Sequence, residues 1–149
     1  MAYQSIRDDD VHAATVRRIQ NLAPDSERCW GVMDHDQLLP HLVDGMRLAL
    51  DGTDRRARGL FATSLMRSLV VHRLSWPEGK AKAPEGAFQR VCEDWDADRA
   101  ELLGLIERYR ATPGDQLGNA HPIFGSMKTR DWDVLMWRHL DHHLRQFSC

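Results

Sequence analysis

Two histidines one helical turn apart, His139 and His143, stand in the closing run RHLDHHLRQF, and a third, His41, stands far upstream in DQLLPHLVDGMRLAL. An i, i+4 pair puts both imidazoles on one face of a helix. Two such nitrogens and a third from a facing helix suffice to hold one metal ion. Three protein ligands leave coordination positions open, as catalytic rather than structural zinc sites do. A metal would also offset a cost, because imidazoles buried together lose hydration and leave ring nitrogens unsatisfied. For His41 taken alone, a satisfied packing histidine is the commoner reading; it is the pair that turns the reading toward ligation. The spacing matches the HExxH metalloproteases, but Leu140 follows His139, so the glutamate base of a peptidase is missing. The Glu-x-x-His pairs of a di-iron bundle are missing as well.

The stripe around the pair supports burial. At about 100° per residue, Trp132, Leu135, Met136, His143, Gln146 and Phe147 fall within about 80° of His139. Asp141 and Arg145 point away, and His142 sits at the stripe's edge. On the upstream segment Leu38, Leu42, Gly45 and Ala49 share a face with His41, and Gly45 is small enough to leave room beside it. His121, opening the run HPIFG, is a candidate acid/base or fourth ligand at the site mouth. Asp44, three residues after His41, is a candidate to hold a ligand imidazole from behind. Trp30 and Trp132 read as core, and His12, His35 and His72 as structural or surface residues.

The elements that must position these side chains are helical, since alternating strand patterns are missing. Asp8, Asp9 and Asp10 open a first helix that ends near Pro24. Asp34, with Gln37 three residues on, reads as a capping box for a second helix ending near Asp51 and Gly52. Pro40 requires either that this helix starts near Asp36 or that it kinks before His41. Residues 59–74 predict a shorter apolar helix. A loop, WPEGKAKAPEG, then leads to a long helix from about Pro84 to Arg110, stopped by Thr112, Pro113 and Gly114. Thr129 is the expected N-cap of a last helix running to Phe147. Four main helices and a short one imply a four-helix bundle with an insertion.

The chain has 149 residues, enough for one domain over 1–149 with a sizeable core. A net charge of −2 gives no overall pull toward nucleic acid or an anionic membrane. The basic cluster Arg55, Arg56 and Arg58 reads as a solvated turn. No apolar run reaches the length of a membrane span, and no signal sequence opens the chain. Three widely spaced cysteines, Cys29, Cys92 and Cys149, suit reduced thiols in a cytoplasm better than a disulfide framework.

The segments WGVMDHDQLLPHLVDGMRLAL (30–50), WPEGKAKAPEG (76–86) and HPIFGSMKTRDWDVLMWRHLDHHLRQF (121–147) resemble the DinB-like superfamily. These are the damage-inducible, bacillithiol S-transferase-like four-helix bundles, and the match is closest to one of their uncharacterised branches. The resemblance implies an all-α, up-down-down-up bundle with a short extra helix inserted between helices 2 and 3. It implies a three-histidine site for a divalent ion, zinc or nickel, carried here by His41, His139 and His143. The superfamily's HRGQ ending stands as His143-Leu144-Arg145-Gln146, with histidine and glutamine kept and the glycine lost. Relatives transfer low-molecular-weight thiols or isomerise or hydrolyse small thiol conjugates. The expectation is therefore a metal-dependent enzyme on a small molecule, a thiol among the candidates. The alternative is a non-catalytic, metal-stabilised stress or interaction module. The superfamily's name comes from DNA-damage induction and implies no DNA binding.

A homodimer is expected on two grounds. Relatives are often dimeric, and Val134, Trp137, Leu140 and Leu144 form a second apolar strip on the last helix, away from the histidines. The short 59–74 helix, rich in Leu60, Phe61, Leu65, Leu69 and Val70, is expected to cover only part of that strip.

Overall fold

Helical periodicity governs the computed structural model, which describes residues 4–79 and 90–147. The elements are α1 (Asp9–Asn21), α2 (His35–Asp51), a 3₁₀ turn (Leu60–Ala62), α3 (Ser64–His72), α4 (Trp95–Ala111), a second 3₁₀ turn (Gly114–Gln116), a minimal hairpin of β1 (Ala120–His121) and β2 (Gly125–Ser126), and α5 (Thr129–Gln146). The all-helical expectation holds apart from that hairpin, whose strands pair antiparallel with His121 opposite Gly125. Two-residue strands are too short to leave an alternating pattern in the sequence.

Each helix start has a local cause. Asp9 and Asp10 place negative charge in the first turn of α1, where the helix dipole favours it. At α2 the Gln37 side chain accepts the Asp34 amide N–H at 3.0 Å, the reach-back half of a capping box. That helix begins at His35, so Pro40 lies inside it. Proline has no N–H for the carbonyl four residues before it, and the Asp36 carbonyl takes the Cys92 N–H instead, at 2.7 Å. The chain leading into α4 thereby repairs the bond that Pro40 removes.

Three boundaries differ from the sequence reading. The long helix begins at Trp95, capped by an Asp94 carboxylate that accepts the Ala97 N–H at 3.0 Å. Residues 90–94 are not helical, and the proposed start at Pro84 lies outside the described residues. Thr129 is the first residue of α5 rather than its cap; Asp131 reaches back to accept the Lys128 N–H at 3.1 Å. The 59–74 segment divides at Thr63, whose hydroxyl accepts the Met66 N–H and starts α3 afresh.

Helix α2 packs on α4 and α5, α1 on the same two helices, and α3 on α5. Leu38, Leu42, Met46, Leu102, Ile106, Trp132 and Phe147 meet in the core and are almost fully buried. Three of the four residues of the strip on the back of α5 are covered within the single chain: Leu140 and Leu144 are 1% and 0% exposed, and Val134 is buried. Trp137, the fourth member of the strip, stays partly exposed and is the part of it left for the expected dimer contact. The rest is buried because α1 and α3 flank α5, while Leu60, Phe61 and Leu65, expected to lie over the strip, face outward.

The insertion is nonetheless tightly held. Arg138 of α5 donates to the carbonyls of Val70 (3.0 Å), Val71 (2.7 Å) and Leu74, taking the orphan acceptors at the end of α3. The Asp131 carboxylate bonds the His72 ring at 2.7 Å and pairs with Arg67 at 3.5 Å. Replacing Leu144 by Ala should cost about 2–5 kcal/mol of unfolding free energy, as for a core leucine. In urea titrations the loss should be the same at every protein concentration. A loss that shrinks as the protein is diluted would return the strip to an intermolecular contact.

Candidate metal centre

The three predicted ligands come together. His41 of α2 and His139 and His143 of α5 present atoms that all lie within 4.8 Å of one another. Nε2 of His41 is 2.8 Å from Nε2 of His139 and 3.2 Å from Nε2 of His143. The ring centroids form a nearly equilateral triangle with sides of 4.7, 4.7 and 4.8 Å, each pair edge to face. Three imidazoles fanned around one point have this form. Tetrahedral bonds of about 2.0–2.1 Å would separate ligand nitrogens by about 3.3 Å, close to the longer of these contacts.

The proton inventory favours an ion over hydrogen bonding alone. Nδ1 of His143 lies 2.8 Å from Oε1 of Gln146, whose amide nitrogen donates to the Trp30 carbonyl at 2.9 Å. The carbonyl of Trp30 can only accept, which fixes the amide orientation and makes Oε1 an acceptor. His143 therefore carries its proton on Nδ1 and turns a bare Nε2 lone pair toward the cluster. One proton on His41 Nε2 can be given in line to one neighbour and not to both. Charging the rings is opposed as well. Burial, followed by the neighbouring His41, pushes His143 down to about 3, and burial with the other imidazoles holds His139 well below its ordinary range. A lone pair on His143 Nε2, with the Nε2 atoms of His41 and His139 beside it, is a donor set that suits a divalent ion.

Two glycines make the packing possible. A Cβ at Gly45 would come within 3.0 Å of the His139 ring, so the space expected beside His41 is filled by its partner. A Cβ at Gly31 would stand 2.6 Å from the Gln146 amide nitrogen, at a φ of +81° that already favours glycine. Gly31 thus lets the 29–31 segment close on Gln146, with the Cys29 N–H also bonding the Gln146 carbonyl at 2.8 Å.

Gln146 is the supporting residue that the sequence reading did not assign. Its signal was present: it shares the core stripe, three residues after His143. Asp44, assigned that supporting role, is exposed and faces Arg90 at 3.8 Å; in α2 it lies off the buried face that carries His41. His142, placed at the stripe's edge, is buried against Trp30 (4.5 Å) and Trp76 (5.7 Å) and lies outside the ligand set. Among the described residues its Nδ1 has no hydrogen-bond partner, and desolvation lowers its pKa. Trp132 is core, with its indole N–H on the Gly118 carbonyl at 2.6 Å; Trp30 is half-buried. His12 meets Glu107, His72 meets Asp131, and His35 is exposed.

His121 is not in the ligand group, though it is near enough to His139 to act on it electrostatically, and it serves its own turn. Its Nδ1 accepts the N–H groups of Ile123 (3.1 Å) and Phe124 (3.3 Å), and its ring lies between Phe124 and Trp132. With Nδ1 so engaged, the ring carries its proton on Nε2, and the expected acid/base role would fall to that nitrogen. Burial lowers this imidazole to about 4.

Residues 4–149 match the model of a family described as a protein of unknown function (DUF1569). No curated protein and no solved structure matches the chain.

Two outcomes are expected here. Gln146→Leu should weaken divalent-ion binding by about 10–100-fold in competition with a chromophoric chelator, as loss of a ligand-orienting partner does. Unchanged affinity would show that Gln146 only packs. For His121 the sign of the pH effect follows from its lowered pKa: the unfolded chain takes up a proton near pH 6.5, while the folded ring stays neutral to about 4. Stability from this group is present above about pH 6.5 and is lost as pH falls toward 4. His121→Asn keeps an acceptor for both N–H groups, so urea unfolding of the chelator-treated protein should lose one proton of uptake in that window. An undiminished pH slope would contradict this.

Proposed function

The chain belongs to the DUF1569 family, and we propose that it is a metal-dependent enzyme acting on a small molecule, a low-molecular-weight thiol or thiol conjugate, by transfer, isomerisation or hydrolysis. The observation that carries this reading is the convergence of three imidazole nitrogens with the His143 tautomer fixed by Gln146. The ligand set is His41, His139 and His143, and zinc or nickel suits its all-nitrogen donors. An ion bound there supplies Lewis acidity and lowers the pKa of a water or thiol at an open position.

The chain's own residues set the geometry for that chemistry. His143 is buried and braced from behind, and His41 and His139 are partly buried beside it, so a substrate would reach the ion past these two rings. Gly45 keeps the helices close enough for the His139 ring to reach the shared point. The resemblance to the DinB-like superfamily supports the same reading, with α1, α2, α4 and α5 as the up-down-down-up bundle and α3 as its insertion.

A second reading, a metal-stabilised module without catalysis, draws on one observation. The ligands come from α2 and α5, so an ion there joins the two sides of the core. The enzyme is favoured because three protein ligands leave coordination positions open.

An ion that binds only the folded chain raises its melting temperature, by about 2.7 kcal/mol of stabilisation at a hundredfold excess over Kd. Chelation should therefore lower the melting temperature of the wild type and leave His139→Ala unchanged. With loaded protein, exchange of the bound ion should alter the turnover of small thiol conjugates. A chelator-insensitive melt with no turnover on such conjugates would contradict the proposal, and a sensitive melt with no turnover would favour the stabilised module.

A further inference from the structure

The whole-chain charge conceals a local asymmetry. From residue 55 to residue 77 the chain carries Arg55, Arg56, Arg58, Arg67 and Arg73 and no carboxylate, between Asp54 and Glu78. Three of the largest exposed apolar side chains fall in the same stretch: Leu60, Phe61 and Leu65, at 64%, 48% and 69% exposure. Arg55, Arg56 and Arg58 are exposed beside them. Gly125 lies close to both Ala57 and Ala62, so the loop doubles back and its arginines stay beside the apolar triplet.

This surface is presented, not left over. The inward side of the insertion is fixed by buried Val71, by Arg67 and His72 on Asp131, by the Arg67 bond to the Phe124 carbonyl at 3.2 Å, and by Arg138 at the end of α3. A segment anchored so firmly has no need to expose two leucines and a phenylalanine for folding. Its occupant must take apolar side chains and carry negative charge. A second copy fits badly, because a two-fold contact through this patch would set the same arginines against each other. Nucleic acid offers phosphates but no place for exposed leucines. An anionic lipid surface offers both, acyl chains beneath a layer of phosphates.

We propose that the turn and helix start spanning residues 55–65 dock the protein peripherally on anionic bilayers, with Leu60, Phe61 and Leu65 entering the headgroup boundary and Arg55, Arg56 and Arg58 meeting lipid phosphates. Among the described residues no helix is long and apolar enough to cross a membrane, so the contact is one of surface. It departs from the expectation of no membrane partner, which takes the net charge as decisive and Arg55, Arg56 and Arg58 as a solvated turn. It is independent of the metal centre.

The test is co-sedimentation of the full chain with phosphatidylcholine vesicles, with and without phosphatidylglycerol. Binding should require the anionic lipid and fade at high salt. Replacing Arg55, Arg56 and Arg58 together by Gln should lower partitioning by about a hundredfold, at roughly fivefold per arginine. Leu60→Ser with Leu65→Ser should also lower it, and both variants should keep the wild-type melting temperature. Equal binding to neutral vesicles, or no binding to anionic ones, would overturn the proposal. So would self-association abolished by Leu65→Ser without vesicle binding, or capture of a DNA oligonucleotide insensitive to Leu65→Ser.

Discussion

An imidazole buried away from water must have both nitrogens served, and between α2 and α5 three rings turn their Nε2 atoms to the same small volume. The protein fixes the tautomer of His143, which gives its Nδ1 proton to Gln146, whose own amide donates to the Trp30 carbonyl. That leaves a lone pair on His143 Nε2 facing inward, toward the other two rings. Much of the surrounding architecture serves this arrangement. Gly45 and Gly31 allow two close approaches that a Cβ would crowd, displacing the His139 ring slightly at the first and the Gln146 amide at the second. The 29–31 segment and the end of α5 hold each other through the Cys29 and Gln146 backbones.

The rest of the fold keeps α5 rigid enough for this purpose. Its back face is filled by α1 and α3, and its polar residues are engaged in place. Arg138 holds the end of α3, Asp131 holds His72 and Arg67, and Asp133 accepts from Tyr109 at 2.7 Å and from Arg7 at 2.8 Å. Each of these bonds crosses to another element, so a shift of α5 would break several at once. That coupling is how the bundle preserves the position of two ring nitrogens, which a loop could not do as well.

Much of this was legible in the residues. Periodicity marked the helices, and the i, i+4 pair in a core stripe singled out His139 and His143; their convergence with His41 appears in the structure as expected. The rest depended on tertiary contacts. Pro40 sits inside α2 because Cys92 supplies the missing donor, a partner distant in sequence. Asp44 looked well spaced from His41, but spacing along a helix does not say which neighbours it faces, and it faces solvent and Arg90. Gln146 acts through a carbonyl at Trp30 that no local pattern connects to it. The apolar back of α5 gave a true signal of burial for Val134, Leu140 and Leu144, but periodicity alone does not say that α1 and α3 are what cover them.

The central claim is that His41, His139 and His143 hold one divalent ion. It is tested most directly by the metal content of protein purified without a nickel column, measured by mass spectrometry beside His143→Ala prepared in the same way. One ion per chain in the wild type, lost in the variant with the helical spectrum retained, is the predicted result. Equal metal content in the two proteins, or none in the wild type after incubation with zinc or nickel and desalting, would contradict it.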